Sequence, residues 1–66
     1  MYENGQPLTD DSQFNDHIGR SVPVQIYSGG SHRDIGYVQE VTAAYIKIND
    51  TFYRRDQFTF VSRPGY

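Results

Sequence analysis

Ser28, Ser31, His32 and Asp34 fall within one seven-residue stretch, and they are the side chains from which a nucleophile, a general base and an orienting carboxylate are assembled. The spacing argues against that use. Neighbours in one polar, glycine-rich segment cannot readily hold base and nucleophile in line, and no oxyanion-stabilising motif accompanies them. No catalytic residue is assigned. His17 and His32 are the remaining candidates for coordination chemistry, but neither has spaced Cys, His or carboxylate companions in a metal-ligand pattern, and the chain has no cysteine. A surface helix histidine and a loop histidine are expected, with no metal and no cofactor. Gly29-Gly30 lacks the lysine and spacing of a phosphate-binding loop and reads as a turn.

The chemistry that does stand out is that of recognition. Tyr27, Tyr37, Tyr45 and Tyr53 are interleaved with Lys47, Arg54, Arg55 and Arg63. If strand periodicity holds, Tyr27, Tyr45 and Lys47 point away from the interior, and exposed Tyr beside Arg is the composition of a protein interface. It is equally the composition of a platform on which bases stack while cations meet phosphates. The formal charge of −2 weighs against nucleic acid.

These residues must be positioned by a very small scaffold. Sixty-six residues, 36% apolar and 15% aromatic, make one domain without disulfide or cysteine-metal staples, so a core or a partner must hold it together. The charge is uneven. Glu3, Asp10, Asp11 and Asp16 stand unopposed through Gly19, whereas residues 20–66 carry six basic against four acidic side chains. The split fits an acidic arm folded over a mildly basic barrel or two solvated surfaces, and the second is favoured because exposed ion pairs contribute little. No basic run or apolar stretch follows Met1, so neither a secretory signal nor a membrane span is expected, and the expected setting is cytoplasmic.

Residues 1–9 are rich in Asn, Gly, Gln and Pro and have nothing evident to tie them down, which predicts a mobile N-terminal arm. Residues 10–66 form the single domain. From Asp10 to Ile18 the pattern turns helical: Asp10, Asp11 or Ser12 caps the start, Phe14 and Ile18 share a face that would plug one end of a barrel, and Gly19 suits the C-terminal left-handed position. From Arg20 the period is two. Val22, Val24 and Ile26 alternate with Pro23, Gln25 and Tyr27, and Pro23 implies an edge or a solvent-facing donor position. A polar loop over 28–34 leads to a strand at 35–41, bent at Gly36. Tyr45–Ile48 and Thr51–Arg54 flank Asn49-Asp50, a hairpin signal that also matches a glycosylation acceptor pattern without the secretory context to use it. Residues 53–57 suit a single helical turn before a last strand at 58–62. The expected interior is Val22, Val24, Ile26, Val38, Ile46, Ile48, Phe52, Phe58 and Phe60, with Val41 or Val61 at a rim. The class is therefore mainly all-β, a small five-stranded barrel with a short N-terminal helix.

The stretch Phe14-Asn15-Asp16-His17-Ile18-Gly19-Arg20-Ser21-Val22-Pro23-Val24, with Ile35-Gly36-Tyr37-Val38, Tyr45-Ile46-Lys47-Ile48 and Phe58-Thr59-Phe60-Val61, resembles small SH3-like or Sm-like barrels. It looks most like short uncharacterised proteins of spore-forming Firmicutes, some of them associated with the spore coat. The resemblance covers residues 14–63. It implies a fold and a spore-associated setting, and it carries over no catalytic residues. The expected function is a non-enzymatic structural or protein-interaction module that binds another protein or a second copy of itself. A single-stranded RNA or DNA binder is the alternative.

Overall fold

Short strand-forming segments separated by Gly, Asn and Asp punctuation fold into two small antiparallel sheets with one helix packed against them. The computed structural model describes residues 2–66. In chain order the elements are β1 (Pro7–Leu8), α1 (Asp11–Arg20), β2 (Val24–Ser28), β3 (Ser31–Gly36), β4 (Val38–Val41), β5 (Tyr45–Ile48), β6 (Thr51–Arg54) and β7 (Thr59–Ser62). One sheet has the order β1-β7-β2-β3, the other β4-β5-β6, and among the described residues no strand pairing joins them into a closed cylinder. The mainly-β class is observed with seven strands in place of five. The added strand is β1, and the bent strand at Gly36 is interrupted at Tyr37, so that β3 belongs to one sheet and β4 to the other.

The hydrophobic cluster is Leu8, Phe14, Val24, Ile26, Val38, Ile46, Ile48 and Phe60. Phe14 meets Phe60 edge to face at 5.4 Å, a preferred aromatic geometry that joins the helix to β7. Of the expected interior, Val22 and Phe58 are only half-buried and Phe52 is exposed. Leu8, 4% exposed, was not among the expected core residues. Its burial corrects the expectation for the N-terminal arm. Pro7 and Leu8 pair with Val61 and Phe60, Gly5 N–H donates to Ser62 C=O, and Ser62 N–H donates to Gln6 C=O. Of that arm, only Met1 lies outside the described residues.

The helix begins as expected and ends later. Gln13 Oε1 accepts the N–H groups of Thr9 (2.8 Å) and Asp10 (3.1 Å), which satisfies donors just ahead of the first turn. Gly19 is not the cap. Ser21, at φ 52°, takes the left-handed position, while Ser21 N–H and Val22 N–H donate back to Ile18 C=O and His17 C=O, the paired closure of a Schellman motif. A side chain in this conformation is strained, so Ser21→Gly is expected to raise the unfolding free energy by about 0.5–1 kcal/mol. A urea midpoint at or below that of the parent would contradict this.

The segment 28–34, expected as a loop, is a hairpin. Gly29 and Gly30 have φ of 56° and 79°, and Ser28 faces Ser31 while Tyr27 faces His32. Two positive-φ residues give the tight turn whose twist matches paired strands, which is why the polar residues after it enter a ladder. At Gly36 the reason for glycine is close approach. A Cβ there would lie 2.6 Å from Asn49 Oδ1.

Candidate interaction face

The β5–β6 hairpin brings two exposed aromatic rings, Tyr45 and Phe52, together on one face. Asn49 and Asp50, at φ 52° and 61°, form a two-residue turn that pairs Ile48 with Thr51, Lys47 with Phe52, Ile46 with Tyr53 and Tyr45 with Arg54. Ile46 and Ile48 are fully buried, so strand alternation sends Tyr45, Lys47, Phe52 and Arg54 to the opposite face. Phe52 is 49% exposed and Tyr45 37%. Their rings meet edge on at 6.0 Å, and Lys47 Nζ lies 5.3 Å from the Phe52 centroid. Glu40 stands opposite Lys47 on the far side of β5. The inward placement expected for Phe52 is therefore corrected, and the cause is the register: a residue directly opposite outward Lys47 must itself point outward.

The remaining candidates serve different ends. Tyr37 is exposed (55%) between β3 and β4, apart from the hairpin face. Tyr27 is half-buried and accepts a hydrogen bond on its hydroxyl from Arg63 Nη2 at 3.0 Å, while Arg63 Nε donates to Gln25 Oε1. Arg54 forms an exposed two-point pair with Asp56. Arg55 is turned inward: it donates to Asp11 Oδ1, Thr42 C=O and Thr9 C=O, and its guanidinium carbon lies 5.1 Å from the Phe14 ring centroid. The turn carrying it is closed by Gln57 and Phe58 N–H groups on Arg54 C=O.

Tyr53 faces the interior, against Phe58 at 5.2 Å, and its hydroxyl donates to Asp34 Oδ2 at 2.8 Å. Asn49 Nδ2 donates to Asp34 Oδ1 and to Ile35 C=O, both at 3.0 Å. These side chains bridge the β5–β6 hairpin to β3, where no backbone ladder does. Asp34 is thus engaged away from His32, whose ring rests 6.1 Å from Tyr27.

The Tyr53 hydroxyl holds the Asp34 carboxyl below the usual carboxylate range. Partial burial opposes this, and Asn49, the Ile35 N–H and nearby His32 reinforce it. Burial first, then Asp34, pushes Tyr53 up. A carboxyl with a depressed native pKa contributes stability above its unfolded value of about 3.9, and that stability is lost as pH falls from there through the native value. Tyr53→Phe removes the largest cause. The variant is expected to lose less stability than the parent between pH 5 and pH 2, read as urea midpoints, and parallel pH profiles would contradict the assignment.

His17, expected on the surface, is fully buried, as is Ser62, whereas Ile18, expected to plug the barrel beside Phe14, is 39% exposed. The helix turns its Phe14–His17 stripe inward because the imidazole finds partners there. Gln13 C=O can only accept, so His17 Nδ1–H donates to it at 2.7 Å, and Ser62 Oγ–H donates to Nε2 at 2.7 Å. The Tyr2 ring covers the imidazole at 4.4 Å. This has the donor order of a nucleophile and base, but neither side chain is exposed. The i−4 spacing to Gln13 was legible; the partner 45 residues away was not.

Among the described residues, no group of three or more His, Cys, Asp or Glu side chains gathers to hold a metal ion. An open groove of about 200 Å³ beside β1, lined by Pro7, Leu8, Phe14, Phe58 and Phe60 under Arg55, is smaller than the roughly 300–1,000 Å³ typical of small-molecule sites. No protein-family model matches the chain, and no curated protein or solved structure matches it either.

Proposed function

We propose that this is a non-enzymatic protein-interaction module that binds through the outer face of β4–β5–β6. The observation that carries the reading is Phe52. In a chain with four phenylalanines and a small core, its ring is half exposed beside Tyr45, under Lys47 and next to Arg54. Aromatic area flanked by cations is the make-up of interface centres. The module itself is read as a small SH3-like or Sm-like barrel. What supports this is the near-continuous β3–β4 segment and the side-chain bridges from Asn49 and Tyr53 to β3 and from Arg55 to Thr9 beside β1. A cytoplasmic or spore-associated setting rests on the sequence resemblance alone. No helix among the described residues is long and apolar enough to cross a membrane.

Photocrosslinking in the source cells tests the reading. A benzophenone amino acid at position 52 or 45 should give discrete protein adducts, and one at exposed Asn15 on α1 should not. Adducts of equal yield from all three positions, or none from 45 and 52, would sink it.

A second reading has one observation in its favour: Tyr45, Phe52, Lys47 and Arg54 on one exposed face are also what a single nucleic-acid strand stacks and pairs on. That reading requires oligonucleotide binding that weakens steeply with salt. Titration of a fluorescent single-stranded oligonucleotide at low and high salt decides it.

A further inference from the structure

The free edge of β6 borders this face and carries its own unpaired backbone groups. In the antiparallel β5–β6 ladder, the tight turn makes Ile48 and Thr51 a hydrogen-bonded pair, so Thr51 and Tyr53 direct their N–H and C=O toward β5. Arg55 keeps that parity, its N–H donating to Ala44 C=O. Phe52 and Arg54 therefore direct theirs outward, to an edge that no other strand among the described residues covers. The Arg54 C=O is already taken by Gln57 and Phe58 N–H groups. Phe52 N–H, Phe52 C=O and Arg54 N–H are left for an incoming strand.

Resting on the proposed role of this face in protein binding, we propose that its partner is a second copy of the same chain, joined β6 to β6 in antiparallel fashion about a two-fold axis at Phe52. The register follows from the groups that are free. Centring on Tyr53 would require the occupied Arg54 carbonyl, whereas centring on Phe52 gives two reciprocal bonds from Phe52 N–H to the facing Phe52 C=O. It also places Arg54 opposite Asp50 of the other copy, an oppositely charged pair repeated by the symmetry. Arg54 is available for this, because its present pair with Asp56 is exposed on both sides (50% and 65%) and contributes little. Asp50 lends only Oδ1 to Gln39. The product is a six-stranded sheet with both Phe52 rings and both Tyr45 rings on one face.

The interface is small, so the dimer is weak and concentration-dependent. Sedimentation equilibrium of the purified full chain should show a monomer–dimer equilibrium, and the Phe52 amide should exchange more slowly with solvent as concentration rises. Arg54→Glu sets like charges opposite each other and should weaken dimerisation at least ~10-fold, and Asp50→Lys added to it should restore most of that loss. Circular dichroism melts confirm that each variant is folded. A monomer at every concentration, a dimer indifferent to Arg54→Glu, or no restoration by the charge exchange overturns the proposal. Its failure is distinguishable from failure of the broader reading: crosslinks from position 52 to a different protein would then persist with a monomeric chain.

Discussion

Arg55→Ala is expected to lower the unfolding free energy by about 2–3 kcal/mol, most of the ~3–5 kcal/mol that a core of this size supplies. The side chain is 18% exposed and ties together the segment after β1, the start of α1 and the β4–β5 connection through Thr9, Asp11 and Thr42. Charged donors to these acceptors contribute about 1.5–3 kcal/mol each when sheltered, and less here because Asp11 is exposed (68%). Truncation also uncovers Phe14, which is 1% exposed beneath the guanidinium. Arg55→Lys keeps the charge and the aliphatic stem but not the planar fork, so it should recover less than half of the loss. Urea unfolding measures both. With a denaturant slope near 1 kcal/mol/M for so small a chain, the alanine variant should shift its midpoint by about 2–3 M. A shift below ~0.5 M would mean that these contacts are surface pairs of no net value.

Arg55 also shows where sequence reading stops. Its type and neighbours are those of Arg54, and both were candidates for an interaction surface. Their roles diverge because β6 ends between them: Arg54 is the last residue of the strand and points outward, and Arg55 enters the turn and reaches across to the helix. Local pattern carried the strands well, since Val24, Ile26, Val38, Ile46, Ile48 and Phe60 are buried where period two put them. The Asn49-Asp50 turn was also legible, and its two-residue length already implied that Phe52 lies opposite Lys47; the apolar character of Phe52 pulled the expectation inward. What could not be read were long-range partners. Nothing near Leu8 announces β7, and the tethering of residues 5–8 to residues 60–62 depends on chain segments more than 50 residues apart. The seams between the sheets, made by Asp34, Asn49 and Tyr53, are side-chain contacts with no sequence period.

The largest effect of a missed residue is expected at His17. Its two ring nitrogens have one partner each, and both it and Ser62 have no solvent exposure. His17→Ala opens a cavity between α1 and β7 and strands the Ser62 hydroxyl, at a combined cost of about 3 kcal/mol. On a fold of ~3–5 kcal/mol that leaves a marginal protein. Ser62→Ala removes one donor from Nε2 and should cost about 1–2 kcal/mol, because the unpaired nitrogen stays buried. The decisive variant is His17→Leu with Ser62→Ala. Replacing both partners by apolar groups removes the unsatisfied atoms, so the double variant should be more stable than His17→Ala and lie within about 1 kcal/mol of the parent. Leucine also fills much of the imidazole space beneath Tyr2, which packs on the ring at 4.4 Å. Thermal and urea unfolding of the parent, the His17→Leu and Ser62→Ala single variants and the double variant closes a double-mutant cycle and gives the coupling energy directly. If the double variant were as unstable as the sum of the single losses, the hydrogen bond would not be what holds helix to strand, and ring packing against Tyr2 would be the cause instead. If it recovers, the pair is a buried lock whose cost arises from leaving either half unpaired, and a hydrophobic pair can replace it.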